Sequence, residues 1–395
     1  MNHAGVGPMS RRSSLRLAGA YAVVATLFAV VLVGGILRDP SYRAVERSDY
    51  MTYHVAARIV LAGDGACLYD KACQSDAQRE LIGDEPYFER GALPFNSPPW
   101  LAALIVPLGL LPLQVGFVIF TLLGLAVLAV GAWCLTSGAG AVRMLGPLLV
   151  LTAWPTAMGA IRGQSTILVA GLLALSVAAA RYRSGVAMGL AALKPTMAPL
   201  WAAWQLLGGH WRAVGTAAVV ILLLLLLSVV VVSPHAVIAY PAHLLGVAEA
   251  GALGVHPEEM INWRGVAERL GVGAWLVIVG SLATLALVAA VWLRTSSRSL
   301  GAAAAFLATP LVIPHANQHE AILASVGVLL AIAAARRLRA PLTAAAICVH
   351  AVLWTGPLLD AAASAWLLFG LQLAWLAAVA WLAYFRQVPV PPGTD

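Results

Sequence analysis

The sequence predicts an all-α polytopic membrane protein, and three observations carry that prediction. Of 395 residues, 61% are hydrophobic and 10% charged, with a mean hydropathy of +0.87. Soluble domains run near half apolar and a quarter charged. The apolar residues gather into long runs without period-2 alternation. A backbone in lipid must satisfy its own hydrogen bonds, so these runs predict helices rather than a barrel. The remaining charge, 24 Lys and Arg against 17 Asp and Glu for a net +7, sits in loops between runs, where it reads as an orientation signal. No basic stretch interleaved with aromatics points to nucleic acid. The composition excludes an ordinary cytosolic protein, a disordered chain and a disulfide-knit secreted domain.

Residues 1–16 form a tail carrying Arg11, Arg12 and Arg16, which place it in the cytoplasm. The first apolar run, Leu17 to Leu37, is longer than the roughly 7–15 residues of a signal-peptide core, so it reads as a retained span. Residues 38–97 then form an outer loop holding ten of the 17 acidic residues: Asp39, Glu46, Asp49, Asp64, Asp70, Asp76, Glu80, Asp84, Glu85 and Glu89. Ser48 is suited to cap a helix through Tyr50, Tyr53, Ala57 and Val60 that ends at Gly63. With apolar residues on one side and His54 and Arg58 on another, such a helix can lie flat on a bilayer. A second short helix fits Ser75–Ile82. Cys67 and Cys73 share this loop, where oxidising conditions permit a disulfide without requiring one. Cys134 and Cys348 fall in apolar spans as packing residues.

Further apolar runs follow at 98–112, 114–135, 144–160, 165–180, 184–207 and 213–233. After a second outer loop, 234–271, come 272–293, 299–313, 320–335, 340–356 and 358–385. That makes about twelve spans in one membrane domain, 17–385, with a second cytoplasmic tail at 386–395. The basic loops around Arg212, Arg294, Arg298 and Arg336 fall inside on this trace, but Arg181 and Arg183 fall outside, against the rule. A rival trace repairs this by folding 144–164 as a re-entrant hairpin and breaking 184–207 at Lys194-Pro195, because proline removes a helix bond and biases its predecessor out of helix. Both traces remain open.

Ionisable groups near lipid cost about 2.5–3.5 kcal/mol at mid-bilayer even on the lenient scale, so each needs a reason. Asp49, in Ser48-Asp49-Tyr50, reads either as a helix-start acid interacting with the dipole or as a general base taking a proton from an acceptor hydroxyl. Tyr50 and His54 share its helix and are substrate-binding candidates. Arg162-Gly163-Gln164 interrupts two apolar runs; Gln164 can donate and accept toward sugar hydroxyls, while Arg162 reads equally as a snorkelling turn residue. Lys194 lies inside an apolar segment and calls for a partner or an anionic ligand. Asn262 and Arg264 flank a tryptophan in the second outer loop. His315, His319 and Glu320 form the densest polar cluster outside the first loop. The spacing of His315 and His319 suits a metal pair, but the zinc-protease form needs Glu directly after the first His and here that residue is Ala316. No metal is expected. GxSxG is absent, so acyl transfer gains little support.

Taken together, these landmarks resemble a known family. Asp49-Tyr50 with Gly63 and Leu68-Tyr69-Asp70 resembles the first outer loop of glycosyltransferase family 87. Pro94-Phe95-Asn96-Ser97-Pro98-Pro99 resembles its entry to the second span. Gly163-Gln164, Leu193-Lys194-Pro195 and Pro314-His315 through Glu320 resemble the remaining motifs in order. The family often has Asp where this chain has Glu320, and Tyr where it has Asn96-Ser97. The resemblance implies a GT-C-type fold with interfacial helices in the first outer loop. It also implies a polyprenyl-phosphate sugar donor, typically mannose, in place of any separate cofactor, and a glycolipid or glycan acceptor. Asp49 would be the base and His315 would lie near the phosphate. The site would face the outside or periplasm from the cytoplasmic (inner) membrane. A transporter or flippase of a lipid-linked sugar, or a related glycan ligase, is the rival class; the long acidic outer loop and the lack of a visible internal repeat weigh against transport.

Overall fold

The computed structural model describes residues 43–83, 92–137, 142–247 and 256–385, with isolated positions between 19 and 38. The expected first span, apart from those positions, both tails, and Asp39, Asp84, Glu85 and Glu89 lie outside the described residues. Within them the protein is all-helical, with seventeen α-helices and no strand.

The first polar loop is built as its residues dictate. Ser48 Oγ accepts the Met51 N–H at 3.2 Å and starts α1, Asp49–Leu61. Gly63, at φ 86°, lets the chain leave the helix in the left-handed region. A short 3-10 turn, Gly65–Cys67, follows, and a disulfide joins Cys67 to Cys73. Asp70 caps α2, Lys71–Ile82, which therefore starts earlier than the sequence suggested. Two buried glutamines on α2 clamp the returning chain: Phe95 N–H donates to Gln74 at 2.8 Å, and Gln78 Nε2 donates to the Leu93 carbonyl at 2.6 Å. In one respect expectation fails. Helix α1 does not present a polar side holding His54, which is 1% exposed. The reason is that α1 is enclosed by later helices: α3, Pro99–Gly109, packs along it with Gly109 against Ala57, and α4, Leu113–Leu135, packs against Tyr50 through Phe117 and Phe120.

Every apolar run after residue 98 is helical, but not every one is a full crossing. Four described helices are long and apolar enough to span a bilayer: α4, α10 (Trp211–Val231), α13 (Trp275–Arg294) and α17 (Ala361–Phe385). Two bent pairs raise the count to six: α5 with α6 (Val142–Leu151, Trp154–Ile161; 45°), and the segment containing α15 (Ile322–Ala334) with α16 (Arg339–Leu353; 101°). The others are short. Helices α7 (Ser165–Ala178) and α14 (Arg298–Val312), of 14 and 15 residues, reach only about 21–22 Å at 1.5 Å per residue, against about 30 Å of hydrocarbon. Both are largely buried, so protein rather than lipid surrounds them. The run Ala302–Ala308 is entirely buried, its five alanines letting α15 and α17 close in. Cys348, expected in packing, is exposed on α16.

Contacts along α4 settle the middle of the chain. Gly124 and Gly131 of α4 meet Ile167 and Ala174 of α7, so these helices run parallel. Gly146 of α5 lies against Thr136, just past the far end of α4, and Gly163 against Phe117 at its near end. The pair α5–α6 is thus a bent element running end to end, not a hairpin. The break at Lys194-Pro195 is present. Helix α8 (Arg181–Leu190) leads up to Lys194, 3-10 turns flank it on both sides, and α9 (Pro199–Leu207) turns back. Arg298, at the start of α14, donates to Ser176 and Ser184 near the start of α8. Arg181 and Arg183 therefore share an end of the molecule with Arg298, and Gln205 brings α9 and the His210–Arg212 loop there too.

Candidate active site

The other ends of α7, α8 and α14 converge on the start of α1. Helix starts leave backbone N–H groups without intrahelical partners. Here the Asp49 and Tyr50 N–H groups donate to the Arg162 carbonyl at 3.0 and 3.3 Å. That seating explains the Arg162-Gly163-Gln164 sequence. Gly163 sits at φ 58°, and a Cβ on it would lie 2.5 Å from the Tyr50 Cβ. Only glycine combines that backbone conformation with that close approach. The Arg162 side chain itself is exposed; its contribution here is a carbonyl.

Gln164, next in line, is buried and begins α7. Its Oε1 accepts from the Tyr53 hydroxyl at 3.4 Å and from Lys194 Nζ at 3.5 Å. Lys194 reaches it because the pre-proline residue adopts φ −133°, ψ 86° between the two 3-10 turns. Its ammonium also donates to Thr166 Oγ1 at 2.9 Å and pairs with Glu320. The Lys194 side chain keeps 23% of its surface exposed, whereas the Glu320 side chain keeps 1%.

Glu320 accepts from three groups. Besides Lys194, it takes His319 Nε2 at 3.0 Å and the Asn317 N–H at 2.7 Å. His315 sits on the same turn, its Nε2 3.2 Å from Asn317 Nδ2. Burial pushes the His315 pKa below the ordinary imidazole value, opposed by Glu320 and assisted by Lys194, His319 and Arg264. A neutral imidazole accepting at Nε2 carries its proton on Nδ1.

The second polar loop braces this turn. Ile261 N–H donates to the Ala316 carbonyl at 2.8 Å, and Asn262 Nδ2 donates to the Ile313 carbonyl at 2.8 Å. Asn262 Oδ1 accepts the Gly265 N–H and caps α12, Trp263–Arg269. Both amide atoms of Asn262 are thus spent on structure. Arg264, on the first turn of α12, lies near enough to act on the His315 charge.

Asp49 is half-buried, and among the described residues its carboxylate accepts no hydrogen bond. It acts electrostatically on both Tyr53 and Lys194. Burial, then the Asp49 charge, raises the Tyr53 pKa and keeps the phenol protonated. The fold therefore brings Asp49, Gln164, Lys194, Arg264, His315, His319 and Glu320 to one place from five separate segments. It does not bring Tyr50 or His54 there by their side chains. Tyr50 is fully buried among Tyr53, His54, Phe117 and Phe120, and its hydroxyl and His54 Nδ1 make no hydrogen bond among the described residues. Sequence reasoning missed Tyr53, although its place one helical turn after Asp49 puts both on one face. It also missed Thr166 and Asn317. Among the described residues one group could hold a metal ion: His256, Glu258 and Glu259, on a short turn of the second polar loop apart from the cluster, their ligand atoms within 4.8 Å of one another.

The described residues define an all-helical, multi-pass membrane protein with a charged polar cluster at the ends of short buried helices. The particular family follows from comparison: the model of glycosyltransferase family 87 matches residues 95–314, more than half of the chain, and the protein belongs to that family. It is a membrane glycosyltransferase. No curated protein and no solved structure matches it. The matched segment contains Gln164, Lys194, Asn262 and Arg264, while Asp49, His315, His319 and Glu320 lie outside it and join them through the fold.

Proposed function

We propose that the protein transfers a hexose, mannose first among candidates, from a polyprenyl-phosphate donor to a hydroxyl of a glycolipid or glycan acceptor, with inversion at the anomeric carbon. Asp49 is the general base on the acceptor side. Lys194, Arg264 and His315 face the departing phosphate, with Gln164 and His319 toward the sugar and Glu320 holding Lys194 in place. The observation that carries this reading is the seating of α1 on the Arg162–Gln164 turn, which puts a half-buried carboxylate within electrostatic reach of Lys194. Inverting transfer needs that pair: a base for the incoming hydroxyl and positive or hydrogen-bonding groups for the leaving phosphate. Tyr53, protonated and donating to Gln164, fixes the amide between them.

The GT-C-type fold belongs to the same proposal, with the short buried helices α7 and α14 counted among its about twelve membrane-embedded segments rather than as full crossings, as does the outward orientation in the cytoplasmic membrane. Its support is the charge distribution. Among the described residues, the end opposite the cluster gathers Arg143, Arg181, Arg183, Arg212, Arg294, Arg298 and the Arg336–Arg339 turn, and positively charged ends stay inside. The test is titration of purified enzyme with radiolabelled polyprenyl-phosphate mannose and a panel of lipid acceptors. Labelled product is expected with wild type and none with Asp49→Asn. Wild-type turnover by the variant would remove the base assignment, and product only from a nucleotide sugar would remove the donor.

A further inference from the structure

A groove runs between α7 and α8 at the basic end of the molecule, away from the polar cluster. Leu172 and Leu175 of α7, with Ala179 just past its end, form one wall, and Val186 and Leu190 of α8 form the other, leaving about 490 Å³ open between them. Tyr182 and Arg183, on the first turn of α8, line the end of the groove. Positions 182, 183, 186 and 190 share one side of that helix. Another side is already occupied: Gly185 and Gly189 let α10 approach through Ala213, Thr216 and Val220. The groove side is open, with Tyr182 58% and Val186 43% exposed. From Arg183 to Leu190 the wall rises about 10 Å at 1.5 Å per residue, within the roughly 15 Å that one leaflet contributes to the hydrocarbon.

We propose that this groove binds an anionic phospholipid from the leaflet at the basic end, with an acyl chain between α7 and α8 and the headgroup phosphate on Arg181 and Arg183. Charge decides the occupant. Both arginines are exposed, and neither makes an ion pair, hydrogen bond or ring contact among the described residues. The start of α10, beside the first turns of α8, adds Arg212 to the same rim. Cations at the membrane edge attract anionic lipids, whereas a phosphatidylcholine brings a cation of its own toward the same guanidinium groups. A second copy of the chain seated on this face by two-fold symmetry would bring the arginines toward their own kind. Depth agrees with charge. Tyr182 and Trp211, 58% and 66% exposed, stand at the level of the arginines, as aromatic residues do at the headgroup boundary. The placement also bears on the enzyme, whichever sugar it transfers. Helix α7 begins beside Gln164 and Thr166, and Leu190 lies four residues before Lys194, so the lipid wedges between the two supports of the cluster.

The test is photolabelling of the full-length protein in phosphatidylcholine nanodiscs, using phosphatidylglycerol or phosphatidylcholine with a diazirine on one acyl chain. Phosphatidylglycerol label is expected in 172–190, roughly tenfold or more above phosphatidylcholine label at equal concentration, given the attraction of each rim arginine. Arg181→Gln with Arg183→Gln should bring the two labels level. Val186→Trp, which fills the groove and leaves the charge alone, should abolish label there for both lipids. These positions face outward, so the variants should keep the wild-type melting temperature; should one unfold, the wild-type comparison of the two lipids and the map of the label still decide. Equal labelling of wild type by both lipids, or phosphatidylglycerol label outside 172–190, would overturn the proposal. So would suppression of the label by millimolar inorganic phosphate, which would reduce the rim to an anion site without a chain. Cross-links between copies of the chain through 172–190, in place of lipid label, would give the face to a dimer instead.

Discussion

Helix α7 joins two polar clusters that differ in kind. At its start, Gln164 and Thr166 meet Lys194, Glu320 and Asp49. At its end, Ser176 exchanges hydrogen bonds with Ser184, each hydroxyl donating to the other's carbonyl at 2.9 and 2.7 Å. Trp201 Nε1 and Gln205 Nε2 donate to those hydroxyls, and Arg298 donates to the Ser176 carbonyl at 3.0 Å. The second cluster holds no carboxylate. Its cation covers the carbonyls that end α7, which is where a helix end favours positive charge. The first cluster holds opposite charges, one of them a carboxylate left without a hydrogen bond among the described residues. Burial of polar groups in a membrane protein is therefore not by itself a mark of function. What separates a site from a joint is a charge that the fold positions but does not satisfy.

The comparison breaks most sharply at Asp49. Asp49→Asn keeps size and helix start, since Ser48 supplies the cap, so folding should be unchanged while kcat falls by roughly 10²–10⁴-fold, the range for a general base. A thermal melt alongside single-turnover assays checks this. Loss of folding in proportion to activity would reduce Asp49 to the structural kind.

Glu320→Gln comes next. It leaves Lys194 without its buried partner, and breaking such a pair costs about 3–5 kcal/mol. The double variant Lys194→Met with Glu320→Gln, whose amide oxygen can still accept from the Asn317 N–H or His319, should regain part of that stability while remaining inactive. Denaturant titration in detergent reads the first quantity and turnover the second. Activity returning together with stability would mean that the pair serves packing alone.

At the far cluster the expectation is reversed. Arg298→Met removes two hydrogen bonds and should cost about 1–3 kcal/mol with kcat per folded molecule unchanged. A selective kcat loss would extend the site to both ends of α7.

How much of this was legible in advance follows from range. The apolar runs after residue 98, the Ser48 cap, the Gly63 stop and the break at Lys194-Pro195 are local consequences of residue type, and all are present. Span count was less legible, because hydropathy measures composition and cannot tell a short helix sheathed in protein from a long one facing lipid. Helices α7 and α14 are such short helices. The charged members of the site stood out because charge in an apolar context is rare. Tyr53 did not, because an aromatic at helical spacing reads as packing until its hydroxyl is seen beside Gln164. His54 was misjudged for the opposite reason: polarity suggested an exposed side, and the enclosure of α1 by helices later in the chain is not written in its own residues.

That buried histidine supplies the smallest and most graded test. Burial, with the neighbouring Arg58 charge adding to it, lowers the His54 pKa from the ordinary 6.5 to about 4. The unfolded chain therefore binds a proton between about pH 6.5 and pH 4 that the folded chain refuses. Stability from this group is complete above the unfolded value and is lost progressively as pH falls toward 4, reaching on the order of 1 kcal/mol by about pH 6. His54→Phe should flatten that acid limb of the melting temperature while leaving turnover at neutral pH close to wild type, since Nδ1 has no hydrogen-bond partner among the described residues to lose. If neutral-pH turnover instead falls tenfold in a stably folded variant, His54 acts on the substrate, and the boundary drawn between α1's buried side and the cluster at its N-terminus is in the wrong place.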